Sequence, residues 1–278
     1  QRSLGKGVGI HYTDTATIMK IIEPIVLQPL AVEWEAVKAA IGKAKGTKRK
    51  DDLYLGFRER LGTFRVLDPA CGSGAFLYLA LRHLKDFDRR VEEDGKSLGV
   101  TADPKGQRIT ARTVLGIEIN PYAAELAHVT VWIGELQWQM TNGYGVTRRP
   151  ILGALDGIEN RDALLNADGS EAQWPSAAVI IGNPPFLGDR KIVPELGQDY
   201  ADKLRAAFKG RVPAGADLVC YWFEKAAGEL VADRIEYAGL VSTNSIRGGR
   251  NRQVLDHIKG AGEIFNAWAD EPWVIDGA

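Results

Sequence analysis

The run Ala178-Val179-Ile180-Ile181 ends at Gly182 and passes at once into Asn183-Pro184-Pro185-Phe186. A short, continuous, β-branched apolar run bounded in this way reads as a strand buried on both faces, which occurs where helices cover both sides of a parallel sheet. The two prolines cannot extend that strand, because neither has an N–H to give to a neighbour. The chain is therefore forced out of the sheet at the carboxyl end of a central strand. In open parallel sheets that edge is where ligands bind.

The rest of the chain alternates in the same style. Further strands are predicted at Phe64–Leu67 (closed by Asp68-Pro69), Thr113–Ile119, near Ile158–Glu159, at Tyr237–Ser242 and at Glu263–Trp268. Helical spacing covers Thr13–Val37, where Asp14 or Thr15 can cap the start and Pro24 and Pro29 predict a kink or break. It returns over Ala75–Val91, Pro121–Met140, Asp217–Val231 and Asn251–Lys259. The Pro121–Met140 helix is apolar nearly all round and is expected to be well buried. Residues 43–50 and 92–110 read as loops. The expected fold is α/β, a doubly wound, mostly parallel Rossmann-like sheet. An N-terminal helical segment (residues 1–62) is expected to precede the domain that carries the sheet (residues 63–278).

Composition removes several alternatives. At 278 residues the chain can bury a real core. No apolar run reaches the length of a membrane span, and no signal-peptide pattern opens the chain, so a cytoplasmic location is expected. Cys71 and Cys220 are the only cysteines and His11, His83, His128 and His257 are scattered, which gives no disulfide framework and no metal-ligand spacing. A net charge of −1 argues against coating nucleic acid by bulk electrostatics. It leaves room for a local basic loop, and Arg247, Arg250 and Arg252 around Gly248-Gly249 are the best candidate for phosphate contact. The chain opens at Gln1 without a methionine and closes at Ala278, and it reads as a piece of something longer.

Three features fall at successive strand ends. In Asp68-Pro69-Ala70-Cys71-Gly72-Ser73-Gly74, Gly72 and Gly74 permit a tight turn and a close ligand approach at the following helix N-terminus. The third glycine of the dinucleotide fingerprint is replaced by Leu77, which disfavours a nicotinamide cofactor. Glu118 ends the next strand, where a carboxylate can accept hydrogen bonds from both hydroxyls of a ribose. Asn183-Pro184-Pro185-Phe186 presents a carboxamide, a rigid carbonyl and an aromatic face, a set that suits a planar substrate bearing an NH2 group. Cys71 reads as a small packing residue, and Trp222 and Phe223 read as core.

In this order the motifs resemble those of gamma-type N6-adenine DNA methyltransferases, and more closely the methyltransferase region of MmeI-type (type IIL) restriction–modification enzymes. The resemblance covers nearly the whole chain. It implies S-adenosyl-L-methionine as cofactor, held by Tyr12 and Thr13, by Asp68, Ala70, Gly72 and Gly74 of the loop, by Glu118 at the ribose and Ile119 against the adenine ring. Asp162 and Ala163 would meet the adenine amino group, and Asn183 would face both cofactor and substrate. Asn183, Pro184, Pro185 and Phe186 would be catalytic. The resemblance further implies double-stranded DNA as partner, flanking nuclease and target-recognition domains, a bacterial or archaeal defence role, and a seventh antiparallel strand that would begin about where this chain ends. Methylation of RNA adenine or of a protein glutamine presents the same NH2 geometry and stays open, as does a cofactor-binding scaffold without turnover.

Overall fold

The computed structural model describes residues 14–102, 109–143 and 157–269. Five parallel strands, β1 (Val66–Asp68), β2 (Val114–Glu118), β3 (Ile158–Asn160), β4 (Val179–Gly182) and β5 (Tyr237–Leu240), lie in the order β3-β2-β1-β4-β5. Successive side chains on these strands alternate between two apolar clusters, as period-two geometry requires. Val66, Val114, Val179 and Ile181 enter one cluster, whereas Leu67, Ile117 and Ile180 enter the other. This is why β4 reads as an unbroken apolar run: both of its faces are covered.

The first face is packed by α1 (Thr15–Ile22), α2 (Gln28–Lys43), α3 (Thr47–Thr63), α4 (Ala75–Ser97) and α5 (Pro121–Thr141). The second is packed by α6 (Asp189–Leu196), α7 (Gln198–Ala207), α8 (Val219–Val231) and α9 (Arg252–Ala261). The connections through α4 and α5 carry the sheet outward from β1 to β3, and those beyond β4 carry it the opposite way. The reversal between β1 and β4 opens a crevice at their carboxyl ends.

Several sequence expectations are corrected. Residues 43–50 are not all loop: Gly46 (φ +86°) interrupts α2, and α3 starts at Thr47 because Tyr54, Phe57, Arg58 and Leu61 share one buried stripe. Lys50 donates to the Leu98 carbonyl (2.9 Å), at the C-terminal end of α4. That helix runs on through Ser97, since Val91 and Gly95 are buried and a Cβ on Gly95 would lie 2.6 Å from the Tyr54 ring. Pro24 and Pro29 do not break the first helix. A π-helical turn over Glu23–Leu27 holds Pro24, and Pro29 sits in the first turn of α2. The resulting 29-residue helix is, by length and composition alone, apolar enough to cross a membrane, which the expectation of no such run overlooked. Ile18, Ile22, Ile25, Val26, Leu30 and Trp34 nevertheless lie in the domain core.

Residues 263–269 form no sixth strand. Nor is α5 buried all round: Ala124, Ala127, Val131, Gly134 and Trp138 face inward, while Tyr122, Leu126, Val129, Ile133 and Met140 are exposed. One buried ion pair fixes its seating, Lys85 of α4 with Glu135 of α5 (2.6 Å), and Lys85 also donates to the Ile109 carbonyl. Burial lowers the Lys85 pKa against that partner. The pair holds together the two helices whose N-termini border the ligand edge.

Candidate active site at the carboxyl edge of the sheet

The loop after β1 is built to stay close to the sheet. Cys71 N–H donates to the Ile117 carbonyl (3.1 Å), and Trp222 of α8 donates from Nε1 to the Pro69 carbonyl (3.1 Å). Gly74 adopts φ +88° and caps α4 where a Cβ would press on Ala127 of α5 at 3.1 Å. Any larger residue would push the α4 N-terminus away from α5. Cys71 is buried beneath the loop, and burial with the nearby Asp68 and Glu118 charges pushes its thiol well above the ordinary range. It is a packing residue, as is Cys220.

Asp68 is 1% exposed and its Oδ1 accepts the Ala70 N–H (3.0 Å). Burial pushes its carboxyl up to about 7, and the Glu118 charge adds to the rise against the help of the Ala70 N–H. Glu118 lies half-buried at the end of β2, one strand away. Its Oε2 accepts the Gly72 N–H (3.0 Å) and its Oε1 the Asn120 N–H (2.8 Å). A carboxylate offers about four lone-pair sites, so each oxygen keeps capacity for a hydroxyl. Ile119, next along, is 47% exposed. Asn160, at the end of β3, donates to the Glu118 and Ile119 carbonyls and fixes their direction.

Asp162 follows β3. Its Oδ1 accepts the Leu164 N–H (2.7 Å) and the Leu165 N–H (3.3 Å), and Tyr200 of α7 hydrogen-bonds to the same carboxylate. No helix starts there, and Asp162 closes an Asx turn. Ala163 is buried beside it, and its carbonyl accepts from Trp174 Nε1.

Asn183 stands at the end of β4, across the crevice from Asp68. The connecting residue, Gly182, has φ +153°, and a Cβ there would fall 2.5 Å from Asp68 Oδ1. Only glycine lets the buried carboxylate and the strand end share this space. Gly182→Ala is expected to destabilise the fold by about 2 kcal/mol or more, read as a lowered denaturant midpoint at unchanged slope. The Asn183 side-chain oxygen and Pro184 are buried, and Phe186 is half-buried against the second core cluster. The loop's exit is strapped to the start of α8: Leu218 N–H donates to the Leu187 carbonyl (2.8 Å) and Asp189 N–H to Asp217 Oδ1 (3.1 Å).

The edge thus brings together Asp162, Glu118, Asp68 and Asn183, in strand order, with Ala70, Gly72, Gly74, Ile119 and Ala163 between them. Tyr12 and Thr13 lie outside the described residues. The arginines are exposed after β5, but each is engaged within the chain. Arg247 donates to Asn244, Arg250 to the Ala214 carbonyl and Arg252 to Asp256 (3.1 Å). The Trp222–Pro69 bond, the Tyr200–Asp162 bond, Gly182 and the Asp217–Asn251 contact described below were not read from the sequence. Each joins positions too far apart, or too alike in composition to any turn, for local spacing to signal them.

A doubly wound sheet with a polar ligand edge at its switch point and an Asn-Pro-Pro-Phe loop beside it defines the methyltransferase class of α/β domain. The chain belongs to the family described as MmeI, DNA-methyltransferase domain, whose model matches residues 42–274. It is 28% identical to DNA methyltransferase A of Bacillus subtilis (strain 168) over 261 residues, 89% of this chain and 27% of that protein. Its fold superposes on the type IIL restriction–modification enzyme MmeI, solved in complex with DNA, with a TM-score of 0.66 and 29% identity, over 91% of this chain and 33% of that one. The ATP-dependent type ISP restriction–modification enzyme LlaBIII, bound to DNA, shares the fold at 16% identity and a TM-score of 0.52, over 91% of this chain and 16% of that one. The chain thus spans a third or less of the length of these relatives.

Proposed function

We propose that this chain transfers a methyl group from S-adenosyl-L-methionine to N6 of an adenine flipped out of DNA, as the catalytic core of a restriction–modification or related defence enzyme that also carries nuclease and target-recognition domains. The observation that carries the proposal is the adjacency of Asn183-Pro184-Pro185-Phe186 to the buried Asp68 across the switch point of the sheet. The residues fit the cofactor. Asp68 is a buried carboxylate with one backbone donor and no cation beside it among its described partners, and an α-ammonium group supplies what it lacks. Glu118 retains acceptor capacity for two ribose hydroxyls, the exposed Ile119 offers an apolar face to an adenine ring, and Asp162 offers a carboxylate to its amino group. Tyr12 and Thr13 complete the set on resemblance alone.

When bound, the cofactor supplies an electrophilic methyl on sulfur. The chain's own residues do the rest. The Asn183 carboxamide oxygen and the Pro184 carbonyl accept the two hydrogens of the substrate NH2, which draws the nitrogen lone pair out of conjugation with the ring and towards the methyl. Pro185 holds that carbonyl rigid, and Phe186 stacks on the base. Such stacking is worth about 1–3 kcal/mol per base and offsets part of the few kcal/mol spent on flipping. No strong base is required before transfer, so rate comes from positioning and electrostatics.

The test is methyl transfer from labelled S-adenosyl-L-methionine by the whole protein to mixed-sequence DNA, RNA and protein. Label in DNA as N6-methyladenine is the expected result. Label in RNA or in protein glutamine overturns the substrate, and cofactor binding without label in any of the three overturns the enzyme.

A further inference from the structure

The loop after β5 and the loop that carries Asn183 are joined by one buried polar contact. Asn251, 7% exposed at the start of α9, accepts the Asp217 N–H at Oδ1 (2.8 Å). Its Nδ2 donates to Asp217 Oδ2 (2.7 Å) and to the Ser245 carbonyl (3.1 Å). Asp217 gives its other oxygen to the Asp189 N–H, and the neighbouring Leu218 N–H holds the Leu187 carbonyl. Four segments therefore meet at two side chains: the exit of the Asn183–Phe186 loop, the approach to α8, the turn after β5 and the start of α9.

Helix capping does not account for Asn251. An asparagine at a helix start ordinarily accepts an N–H from its own first turn. Asn251 makes no such bond and has helical backbone angles (φ −59°, ψ −35°). Its carboxamide is spent instead on a residue 34 positions away and on Ser245. Around it Arg247, Gly248, Gly249, Arg250 and Arg252 are all exposed. A displacement of this arginine loop moves Asn251, and through Asp217 it moves the strap at Leu187 and Asp189.

We propose that Asn251, with Asp217, is a positioning residue that transmits contact between the arginine loop and a nucleic-acid phosphate backbone to the Asn183–Phe186 loop. Methyl transfer is then fast only when the substrate backbone is seated. This rests on the proposed reading of the site as a DNA methyltransferase. The polar atoms of the bridge are spent on one another, Ser245 and Asp189, so its loss is expected to separate turnover from binding.

In the whole protein, Asn251→Asp sets two carboxylates against each other and removes both Nδ2 donations; kcat on DNA is expected to fall about tenfold or more, with cofactor and DNA affinities within about twofold of wild type. Combining it with Asp217→Asn exchanges carboxylate and carboxamide. An N–H again joins the two side chains, the Asp189 N–H still meets an oxygen, and most of the lost rate is expected to return. Asn251→Ser, which retains an acceptor without the charge conflict, guards against misfolding of the first variant and is expected to show the same split. A folded Asn251→Asp or Asn251→Ser protein with unchanged kcat overturns the bridge. So does a loss that merely tracks the folded fraction, or one that the exchanged pair does not restore. A wild-type protein that methylates no nucleic acid overturns instead the reading beneath the proposal.

Discussion

Asn183→Ala is expected to lower the rate of methyl transfer by about a hundred- to a thousandfold, the cost seen when one preorganised hydrogen-bonding group is removed from the reacting centre of an enzyme. The affinity for S-adenosyl-L-methionine is expected to change little. The reason lies in the geometry. Asn183 is held by the chain on either side of it: Gly182 accepts Val241 N–H at its carbonyl (2.9 Å), and Leu187 is strapped to α8. Removing the carboxamide therefore leaves these backbone anchors of the loop in place and, on the proposed reading, takes away an acceptor for the substrate amino group. Single-turnover transfer alongside calorimetry with the cofactor checks the split. An equal loss of rate and cofactor affinity would mean that Asn183 serves the cofactor pocket and not the substrate nitrogen.

The parts of this site that local chemistry dictates could be read from the chain. The buried run before Asn183, the double proline and the glycines of the loop after β1 each impose a conformation on a few adjacent residues. They located three strand ends without any knowledge of packing. The sheet and its parallel sense followed from the same runs, because β-branched residues bounded by turns leave few options. What escaped was fixed by tertiary contact. Residues 47–63 carry lysines, arginines and a low mean hydropathy, yet Tyr54, Phe57 and Leu61 find α2 and α4 and make a helix. The outward face of α5 looks no different in sequence from its buried face, since the distinction depends on which side α4 and the sheet occupy. The helices over 189–207 lie in a largely polar stretch whose fully buried apolar residues are Ile192, Ala201 and Leu204, and these are legible only once the second face of the sheet is seen to need covering.

The same division applies at the edge itself. Glu118 and Asp68 each look like an ordinary acid at a strand end. Their value comes from being on neighbouring strands, one half-buried and satisfied by two backbone donors, the other buried with one. A buried, poorly compensated acid is a stability liability that a binding site can turn to use. On the proposed reading, Asp68 is the residue at which the demands of folding and of ligand binding are most directly opposed.

Asp68→Asn should expose that opposition as a gain of stability and a loss of binding in one protein. The substitution keeps the acceptor for the Ala70 N–H and removes only the ability to ionise. In the unliganded protein the Asp68 carboxyl is pushed up to about 7, against an ordinary value of 3.8 in the unfolded chain. The folded state therefore binds the proton more tightly than the unfolded state. Its neutral form costs nothing below about pH 4. Stability contributed by the retained proton is then lost progressively as pH rises towards 7. At pH 8 the wild type must hold a buried carboxylate that the variant lacks, so Asp68→Asn is expected to be more stable there by on the order of 3 kcal/mol. At pH 5 the folded acid keeps its proton while the unfolded one has mostly lost it, so the linked gain has only begun to accrue and should be roughly a third of its value at pH 8. Cofactor affinity should move the other way: the variant should bind S-adenosyl-L-methionine about a hundredfold more weakly at pH 8, as befits a buried charge pair with one partner removed. Wild-type affinity should itself weaken as pH falls below about 7, because the acid must release its proton to meet the ammonium group. Urea melts of both proteins at the two pH values, with cofactor titrations on the same samples, check all three signs. A variant that binds cofactor normally at pH 8 would remove Asp68 from the pocket, and a stability difference independent of pH would remove its ionisation from the explanation.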